Sequence, residues 1–276
     1  MRQVEESGGE MDIGILGPLV VRVDGTSVVP SAAKPRQVLA LLAANAGQQT
    51  STETIAQELW GSSPPSNPSG VVQTYVKQLR RAIAAALDPA AGRSAKDVLR
   101  RGHHGYLLDM PGTATDAHEF DRLATRGLRA LVEGDGAEAS RALEQALGLW
   151  RGPALADVRT GSGLEVEAQC LEEARRAALD GRITADLRLG RHAQLIGELT
   201  MLTARFPLQE SLHAQLMVAL YRCGRSSQAL HVYQRMRTAH IEELGIEPSH
   251  RLRKLHRAVL DADPMLDSPV PSLAAF

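Results

Sequence analysis

Hydrophobic and polar residues alternate in the stretch DIGILGPLVVRVDGTSVVP, residues 12–30, with the two-residue period of β-strands. An Asp24-Gly25 pair interrupts the alternation, and this dipeptide between strand-like runs predicts a hairpin turn. A second stretch, DVLRRGHHGYLLD at 97–109, predicts two short strands folded about Gly102 and Gly105. We therefore expect two β-hairpins, one at each end of this part of the chain.

Between the two hairpins the apolar residues recur with helical spacing. Three segments show it: KPRQVLALLAANAG (34–47), STETIAQELWG (51–61) and GVVQTYVKQLRRAI (70–83). Asn67 followed by Pro68 predicts the start of the third helix, as an N-cap and a first-turn residue. Three helices closed by a β-hairpin wing form a winged helix-turn-helix, in which the third helix enters the major groove of DNA.

The second half of the chain loses its strand signals after MPGTATD, residues 110–116, and is dominated by Ala, Leu, Arg and Glu. ADLRLGRHAQLIGEL at 185–199 matches ALYRCGRSSQALHVY at 219–233 with an offset of 34 residues. This is the period of tetratricopeptide repeats, and each copy has a glycine between two helical stretches. LVEGDGAEASRALEQAL at 131–147 resembles a third, less regular copy. The second half is therefore predicted to be an all-α, tetratricopeptide-like domain.

These patterns predict a mostly α-helical protein with a small amount of β-structure. We expect four segments in chain order, namely a disordered extension at 1–11, a winged-helix domain at 12–110, a helical domain at 111–262 and a flexible tail at 263–276. The beginning of the chain has no apolar signal-peptide core, and no stretch approaches the roughly 18 apolar residues of a membrane span. A cytoplasmic, nucleoid-associated protein without a membrane partner is expected.

Charge is unevenly distributed, although the formal net charge of the whole chain is only −1. Residues 71–108 hold seven Lys or Arg against two acidic residues. A basic zone on a nearly neutral chain is the electrostatic footprint of a polyanion-binding surface, although solvated surface charge would give the same local excess. The third predicted helix lies in this zone.

The polar face of that helix has cationic and amide side chains but no carboxylate. Base edges in the major groove bind such groups: amides for adenine, Lys or Arg for guanine and a Thr methyl group for thymine. Phosphates bind Arg and Lys. The DNA-binding residues predicted from this helix are Ser69, Gln73, Thr74, Lys77, Gln78, Arg80 and Arg81, the last two nearer the phosphates. From the wing we predict Arg100, Arg101, His103 and His104.

Sequence motifs of catalysis, metal binding and cofactor binding are missing. The chain has no Gly-rich phosphate-binding loop with its Lys, no zinc-ligand spacing and no nucleophile elbow. His103 and His104 are neighbours on a predicted hairpin, so they point to opposite faces and cannot chelate one ion together. We therefore expect no enzyme activity, no catalytic or metal-binding residue and no cofactor.

Ordered motifs along the chain resemble those of a known family. LGPLVVRVDG, KPRQVLALLAANAG, ELWGSSPP, VVQTYVKQLRRAI and RRGHHGYLL are similar to the OmpR-type winged-helix half of the Streptomyces antibiotic regulatory protein (SARP) family. LWRGPALADV, RITADLRLGRHAQLIGEL, QLMVALYRCGRSSQALHVYQ and EELGIEPSHRLRKLHRAVL resemble that family's bacterial transcriptional activation domain. The resemblance runs from about Asp12 to Leu260.

The resemblance implies a transcriptional activator of an antibiotic or other secondary-metabolite gene cluster. Such a protein would bind direct repeats in double-stranded DNA near the −35 promoter element, as a homodimer at least on DNA, and would recruit RNA polymerase holoenzyme. In OmpR-type domains the loop before the recognition helix often contacts polymerase. In this chain that loop is Gly61, Ser62, Ser63, Pro64, Pro65, Ser66 and Asn67.

Two other functions stay open at the level of sequence. The helical domain could be the functional part, a ligand- or peptide-binding sensor that uses DNA only for location, because tetratricopeptide-like concave surfaces bind partners. A repressor would share every predicted DNA-binding residue with an activator, and only the resemblance favours activation.

Overall fold

A computed structural model describes residues 11–109 and 113–267 of the chain. They form two compact units, of which the first comprises the residues up to Leu123 together with Ala146–Arg176. The second comprises Ala124–Gln145 and the described residues from Ala177 onward. Most of the predicted extension and tail, and the predicted domain boundary after residue 110, lie outside the described residues, so these predictions stay untested.

The elements are numbered in chain order. They are β1 (Met11–Gly14), β2 (Val20–Val23), β3 (Thr26–Ser27), α1 (Ala33–Ala44), β4 (Gln49–Ser51), α2 (Thr52–Trp60), α3 (Pro68–Ala86), α4 (Ala95–Val98), β5 (Leu99–Arg101), β6 (Gly105–Leu108), β7 (Ala114–Thr115), α5 (Asp116–Glu133), α6 (Gly136–Gly148), α7 (Ser162–Arg188), α8 (His192–Arg205), α9 (Glu210–Arg222), α10 (Ser226–Leu244) and α11 (His250–Leu260). Short 3₁₀ helices lie at Pro89–Ala91 and Pro264–Asp267.

The first sheet of the first unit has the strand order β3-β2-β1-β7. β2 pairs antiparallel with β1 and β3, whereas β7 runs parallel to β1. In the turn between β2 and β3, Asp24 and Gly25 have φ angles of 47° and 77°, and two positive φ angles are what a type I′ hairpin turn requires. The predicted hairpin is therefore confirmed, although Met11, predicted to belong to the extension, is the buried first residue of β1.

The predicted wing is a three-stranded sheet, with β6 between β4 and β5. The sequence did not reveal β4, because three residues are too few to show an alternating pattern. Asp97 and Val98, predicted to begin the first wing strand, instead end the short helix α4. The Asp97 carboxylate accepts the main-chain N–H of Ser94 (2.8 Å), and the hydrogen bonds from Ser94 lower the pKa of Asp97.

Helices α1, α2 and α3 confirm the three predicted helices of the winged helix. The Ser51 hydroxyl accepts the N–H of Thr54 (2.9 Å) and the Asn67 amide oxygen accepts the N–H of Gly70 (3.0 Å), so both are N-caps. Gly61 ends α2 with a φ of 56°, a left-handed value that favours glycine. Four residues of α3 are buried at helical spacing, Val72, Val76, Leu79 and Ile83, which leaves the opposite face exposed.

A segment from far along the chain packs into the core of the first unit. Leu155 and Leu164 are buried in the same apolar cluster as residues of α1, α2 and α3. The main-chain N–H groups of Arg151 and Leu155 donate to the carbonyl oxygens of Leu16 (2.8 Å) and Ile15 (3.0 Å). These residues fall in the segment predicted as the helical domain, so this packing was not predicted.

The described part of the second unit is helical, and its largest apolar core is built from α7 to α11. Gly134, Gly190 and Gly224 each separate two helices with φ angles of 88°, 78° and 73°. Glycine adopts this left-handed conformation without steric cost, which lets the chain reverse after a helix. The three glycines correspond to the three sequence repeats, and an all-helical second half is confirmed. Within the described ranges, none of the helices has the length and apolar character needed to cross a bilayer.

A buried histidine makes the stability of the second unit depend on pH. Burial lowers the pKa of His213 on α9 from 6.5 to about 4; the main chain of Pro207 and the Glu210 carboxylate act in the opposite direction, and Arg235 and His240 in the same one. The folded state therefore favours the neutral imidazole. The stability that results is fully present above pH 6.5 and is lost as the pH falls towards about 4.

We expect the free energy of unfolding to fall by about 2 kcal/mol through this group between about pH 7 and pH 5. The variant His213→Leu should lack that part of the pH dependence, whereas His231→Leu, at an exposed position of α10, should keep it. Thermal unfolding followed by circular dichroism at both pH values measures the difference. Equal pH dependence in all three proteins would contradict the role of His213.

Candidate nucleic-acid interface

The exposed face of α3 carries polar side chains and no carboxylate. These residues follow the helical period opposite the buried apolar positions. Those predicted to face DNA bases or to begin the helix are all exposed, namely Ser69, Gln73, Thr74, Lys77 and Gln78. Arg81, predicted nearer the phosphates, is exposed as well. The structure thus places one continuous cationic and amide surface along α3.

Thr74 is oriented by a hydrogen bond within the helix. Its hydroxyl donates to the carbonyl oxygen of Gly70 (3.0 Å), one helical turn earlier. Because the hydroxyl proton is used inside the helix, the methyl group and the oxygen lone pairs are the parts of this side chain that can meet a partner. A threonine methyl group is suited to contact with the methyl group of thymine.

A cleft of about 710 Å³ runs between α3 and the wing sheet. Its charged lining residues are Lys77, Arg80, Arg81, Lys96 and Arg101, and none of the described residues that line it is acidic. Positive charges on both walls of a cleft reinforce one another and attract a polyanion. The cleft is therefore a cationic surface that adjoins the exposed face of α3.

Arg80 has a partner inside the protein. Its Nε and Nη2 both donate to the carbonyl oxygen of Leu99 (3.0 and 2.7 Å), and its guanidinium lies 6.0 Å from the centre of the Tyr106 ring. The side chain is half-buried and fastens α3 to β5. Its predicted phosphate contact stays a prediction, but the geometry gives Arg80 a structural task that the sequence did not indicate.

The two arginines of the wing point in different directions because neighbouring strand residues alternate between faces. Arg101 lines the cleft beside α3. Arg100 forms an ion pair with Asp109. The structure thus brings only Arg101 to α3. At the turn of the wing, His103 and His104 are both exposed, with ring centres 6.3 Å apart. Among the described residues, no three His, Cys, Asp or Glu side chains are grouped as a metal site requires.

The loop at 61–67 is mostly exposed, as a contact surface would need to be. Just before it, Trp60 packs against the core of the first unit, and the Lys34 ammonium lies 5.8 Å from the centre of the Trp60 ring. Lys34 also donates to the carbonyl oxygen of Leu59. Burial lowers the pKa of Lys34, and Arg159 acts in the same direction. The loop therefore starts from a firmly packed helix end.

Sequence reasoning missed one cleft residue, Lys96. Its charge was part of the basic segment that indicated a polyanion partner, but no DNA-binding role was predicted for it. In the structure Lys96 lies in the short helix α4, and its exposed side chain lines the cleft opposite α3. Ser94 and Asp97 have the spacing of a helix capping box. This pattern predicts a short helix here, and a helix would hold Lys96 in a defined position.

Sequence reasoning also missed the buried carboxylate of Glu58, near the end of α2. The side chain is 4% exposed. Its oxygens accept the main-chain N–H groups of Gly161 (2.5 Å), Gly163 (2.8 Å) and Leu164 (3.1 Å), and the Gln37 side-chain amide (3.2 Å). Gly163 and Leu164 are in the first turn of α7. Glu58 therefore caps α7 from the winged helix, close to the loop at 61–67.

Two family profiles match the chain. The bacterial transcriptional activator domain matches residues 115–260, and the C-terminal domain of transcriptional regulatory proteins matches residues 26–106. The second match includes α1 to α3 and nearly all of the wing sheet. The two matches together cover most of the chain, in the order that the sequence motifs predicted.

Several known proteins are similar over most of this chain. Regulatory protein DnrI of Streptomyces peucetius is 49% identical over 265 residues, which cover 96% of this chain and 97% of that protein. Transcriptional regulator RedD of Streptomyces coelicolor is 37% identical, over 95% of this chain and 74% of that protein.

Among solved structures, Mycobacterium tuberculosis EmbR in complex with a low-affinity phosphopeptide superposes with a TM-score of 0.84 and 34% identity. The match covers 97% of this chain and 70% of that one. The fold, the two family profiles and the relatives agree, and the chain is a member of the SARP family of transcriptional regulators, with an OmpR-type winged helix and a bacterial transcriptional activation domain.

Proposed function

We propose that this protein activates transcription of an antibiotic or other secondary-metabolite gene cluster. It binds direct repeats near the −35 promoter element and recruits RNA polymerase holoenzyme. The observation that carries the proposal is the carboxylate-free exposed face of α3 beside a cleft with five cationic lining residues. Membership of a family of antibiotic regulators supports the choice of target genes.

In this proposal α3 reads bases and the cleft holds a phosphate backbone. Gln73, Thr74, Lys77 and Gln78 face the major groove, and the N-terminal half of α3, from Ser69 to Lys77, lies deepest. Arg81, Lys96 and Arg101 lie near the phosphates, because they line the cleft beside that half. Direct repeats require two protomers to bind head to tail, and the loop at 61–67 of a bound protomer then contacts polymerase.

Substituting Thr74→Ala or Lys77→Ala should weaken binding to the correct repeat by about 1–3 kcal/mol and relax the sequence preference. Arg81→Ala is the matched comparison, since it should weaken binding to all sequences alike and reduce the salt slope by about 1. Fluorescence anisotropy with a promoter duplex and a random-sequence duplex measures both effects. Loss of sequence preference in Arg81→Ala but not in Lys77→Ala would contradict the assignment of base reading to Lys77 and of a phosphate contact to Arg81.

An experiment that includes RNA polymerase is needed to distinguish activation from repression. Footprinting of the promoter fragments of the protein's own gene cluster, with and without RNA polymerase holoenzyme, distinguishes them. Protection of repeats beside the −35 element that is strengthened by polymerase supports the proposal. Protection that excludes polymerase indicates a repressor. If no DNA is protected, the result favours the alternative in which the helical domain acts as a ligand- or peptide-binding sensor.

A further inference from the structure

The outer face of α11 is a ridge made only of basic side chains. His250, Arg253, Lys254 and Arg257 follow the i, i+3, i+4, i+7 spacing of one helix face, and all four are exposed. The opposite face is apolar and buried, with Leu252, Leu255 and Val259 in the core of the second unit. The helix therefore has a sharply divided surface, and its solvent side contains no acidic residue.

Other helices of the second unit balance their surface charge. Arg129 pairs with Glu133 (2.8 Å) and Arg141 with Glu138 (2.5 Å), each within one helical turn. In the basic ridge of α11, Arg257 pairs with Asp261 (3.2 Å) at the end of the helix. Glu247, which precedes the helix, is paired with Arg237 (2.5 Å), which lowers the pKa of Glu247, and Arg253 acts on that pKa in the same direction from a greater distance. Among the described residues, neither Arg253 nor Lys254 has a carboxylate at ion-pair distance.

Like charges at this spacing repel one another, so the ridge does not serve the stability of the isolated helix. A face exposed only for solubility would mix both signs of charge. An anionic surface against the ridge offsets this repulsion, because each basic side chain is then attracted to a negative charge. The composition of α11 therefore points to a partner that carries a regular row of negative charges.

We propose that the basic ridge of α11 binds the phosphate backbone of double-stranded DNA without reading its sequence. The ridge lacks the amide and apolar groups that read base edges, and cations alone suit phosphates. With a rise of about 1.5 Å per residue, the four side chains extend over roughly 10 Å, enough to reach successive phosphates. The proposal does not depend on α3, because α11 is in the other unit.

The test uses the full chain and a random-sequence DNA duplex, so that base reading by α3 does not contribute. The variant Arg253→Gln with Lys254→Gln removes two cations and keeps good helix-forming residues. The control variant, Arg129→Gln with Arg141→Gln, removes the same charge from positions where each arginine has an acidic partner. Affinity is measured by anisotropy between about 50 and 200 mM salt.

We expect the α11 variant to lose roughly tenfold in affinity at the lowest salt and to reduce the salt slope by about 2, while the control stays near the parent. Its melting temperature should be unchanged or slightly raised, because repulsion is removed. The proposal would be overturned if the α11 variant had the same DNA affinity and salt slope as the parent. It would also be overturned if the control variant lost as much affinity as the α11 variant. If the variant bound DNA normally and lost only its response to polymerase, the ridge would face an acidic protein surface instead, which also overturns it.

Failure of the α11 proposal and failure of the α3 proposal give different results. The Lys77→Ala variant tests sequence preference, whereas the α11 variant tests affinity for a duplex without a specific site. A normal sequence preference in Lys77→Ala together with a reduced salt slope in the α11 variant would contradict base reading by Lys77 and leave the α11 proposal standing.

Discussion

Replacing Glu58 by alanine is expected to lower the free energy of unfolding of the first unit by about 4 kcal/mol. The buried carboxylate receives four hydrogen bonds, three of them from main-chain N–H groups at Gly161, Gly163 and Leu164. Alanine removes all four, and the buried N–H of Leu164 and the buried side-chain amide of Gln37 then lose this acceptor. The loss should exceed that of an ordinary hydrogen bond, because four bonds to a charged group disappear together and a buried donor left without an acceptor keeps its desolvation penalty.

The N-terminus of α7 adds to this effect. The first turn of a helix has N–H groups without partners inside the helix, and its partial positive charge favours an anion. Glu58 supplies that anion from α2. Gly161 makes room for it, because a Cβ at this position would lie 2.1 Å from the carbonyl oxygen of Glu58. Glu58→Gln should also destabilise the unit, since a side-chain amide would face main-chain N–H groups with a donor.

Tryptophan fluorescence during urea unfolding measures this change in the correct unit, because both tryptophans of the chain, Trp60 and Trp150, belong to the first unit. Gln57→Ala, at an exposed position of the same helix, should change stability little. Hydrogen exchange of the Gly163 and Leu164 amides should accelerate only in the Glu58 variants. A Glu58→Ala protein within about 0.5 kcal/mol of the parent would contradict the capping role.

Replacing Gly105 by alanine is expected to lower the free energy of unfolding of the first unit by about 3 kcal/mol and to separate strands of the wing sheet. Gly105 begins β6 and pairs with Ser51 of β4. A Cβ on Gly105 would lie 1.9 Å from the carbonyl oxygen of Thr50, an atom of the backbone that cannot rotate away. Alanine therefore forces β4 and β6 apart, and the wing with its Arg101 moves away from α3.

The same fluorescence measurement detects the loss. Gly148→Ala is the matched control, because a Cβ there meets no atom within 4 Å and the residue is the last of α6, in the first unit. Alanine should favour that helix by up to about 1 kcal/mol. Sequence-independent DNA affinity of Gly105→Ala should also fall, if the wing supplies part of the cationic cleft. Parental stability of Gly105→Ala would show that β4 and β6 can separate without cost.

Local sequence signals predicted the helix and turn boundaries of the winged helix well. The caps at Ser51 and Asn67, the Asp24-Gly25 turn and the glycine that ends α2 act through neighbours three or four residues away. Such signals can be recognised in the sequence because the interacting groups are close along the chain. The exposed face of α3 was predictable for the same reason, since helical periodicity orders buried and exposed positions.

Contacts between distant residues were not predictable. Arg80 was predicted to lie near phosphate, but its guanidinium is held by Leu99 in the wing. Lys96 was left unassigned because nothing in its neighbourhood indicated that it faces α3 across the cleft. Glu58 was not singled out in the sequence, and the three main-chain N–H groups that donate to it lie more than a hundred residues away along the chain.

The sequence by itself therefore determined the order of the three helices and the first hairpin of the winged helix, the helical repeat, the carboxylate-free face of α3 and, through its motifs, the family. Each of these depends on residue types at short, regular spacing. Only the tertiary structure decided which arginine of the wing joins α3, that a segment near residue 155 completes the core of the winged-helix unit, and that Glu58 caps α7. Those features depend on packing, because burial and hydrogen bonding between remote segments are properties of the folded chain and leave no local period to detect.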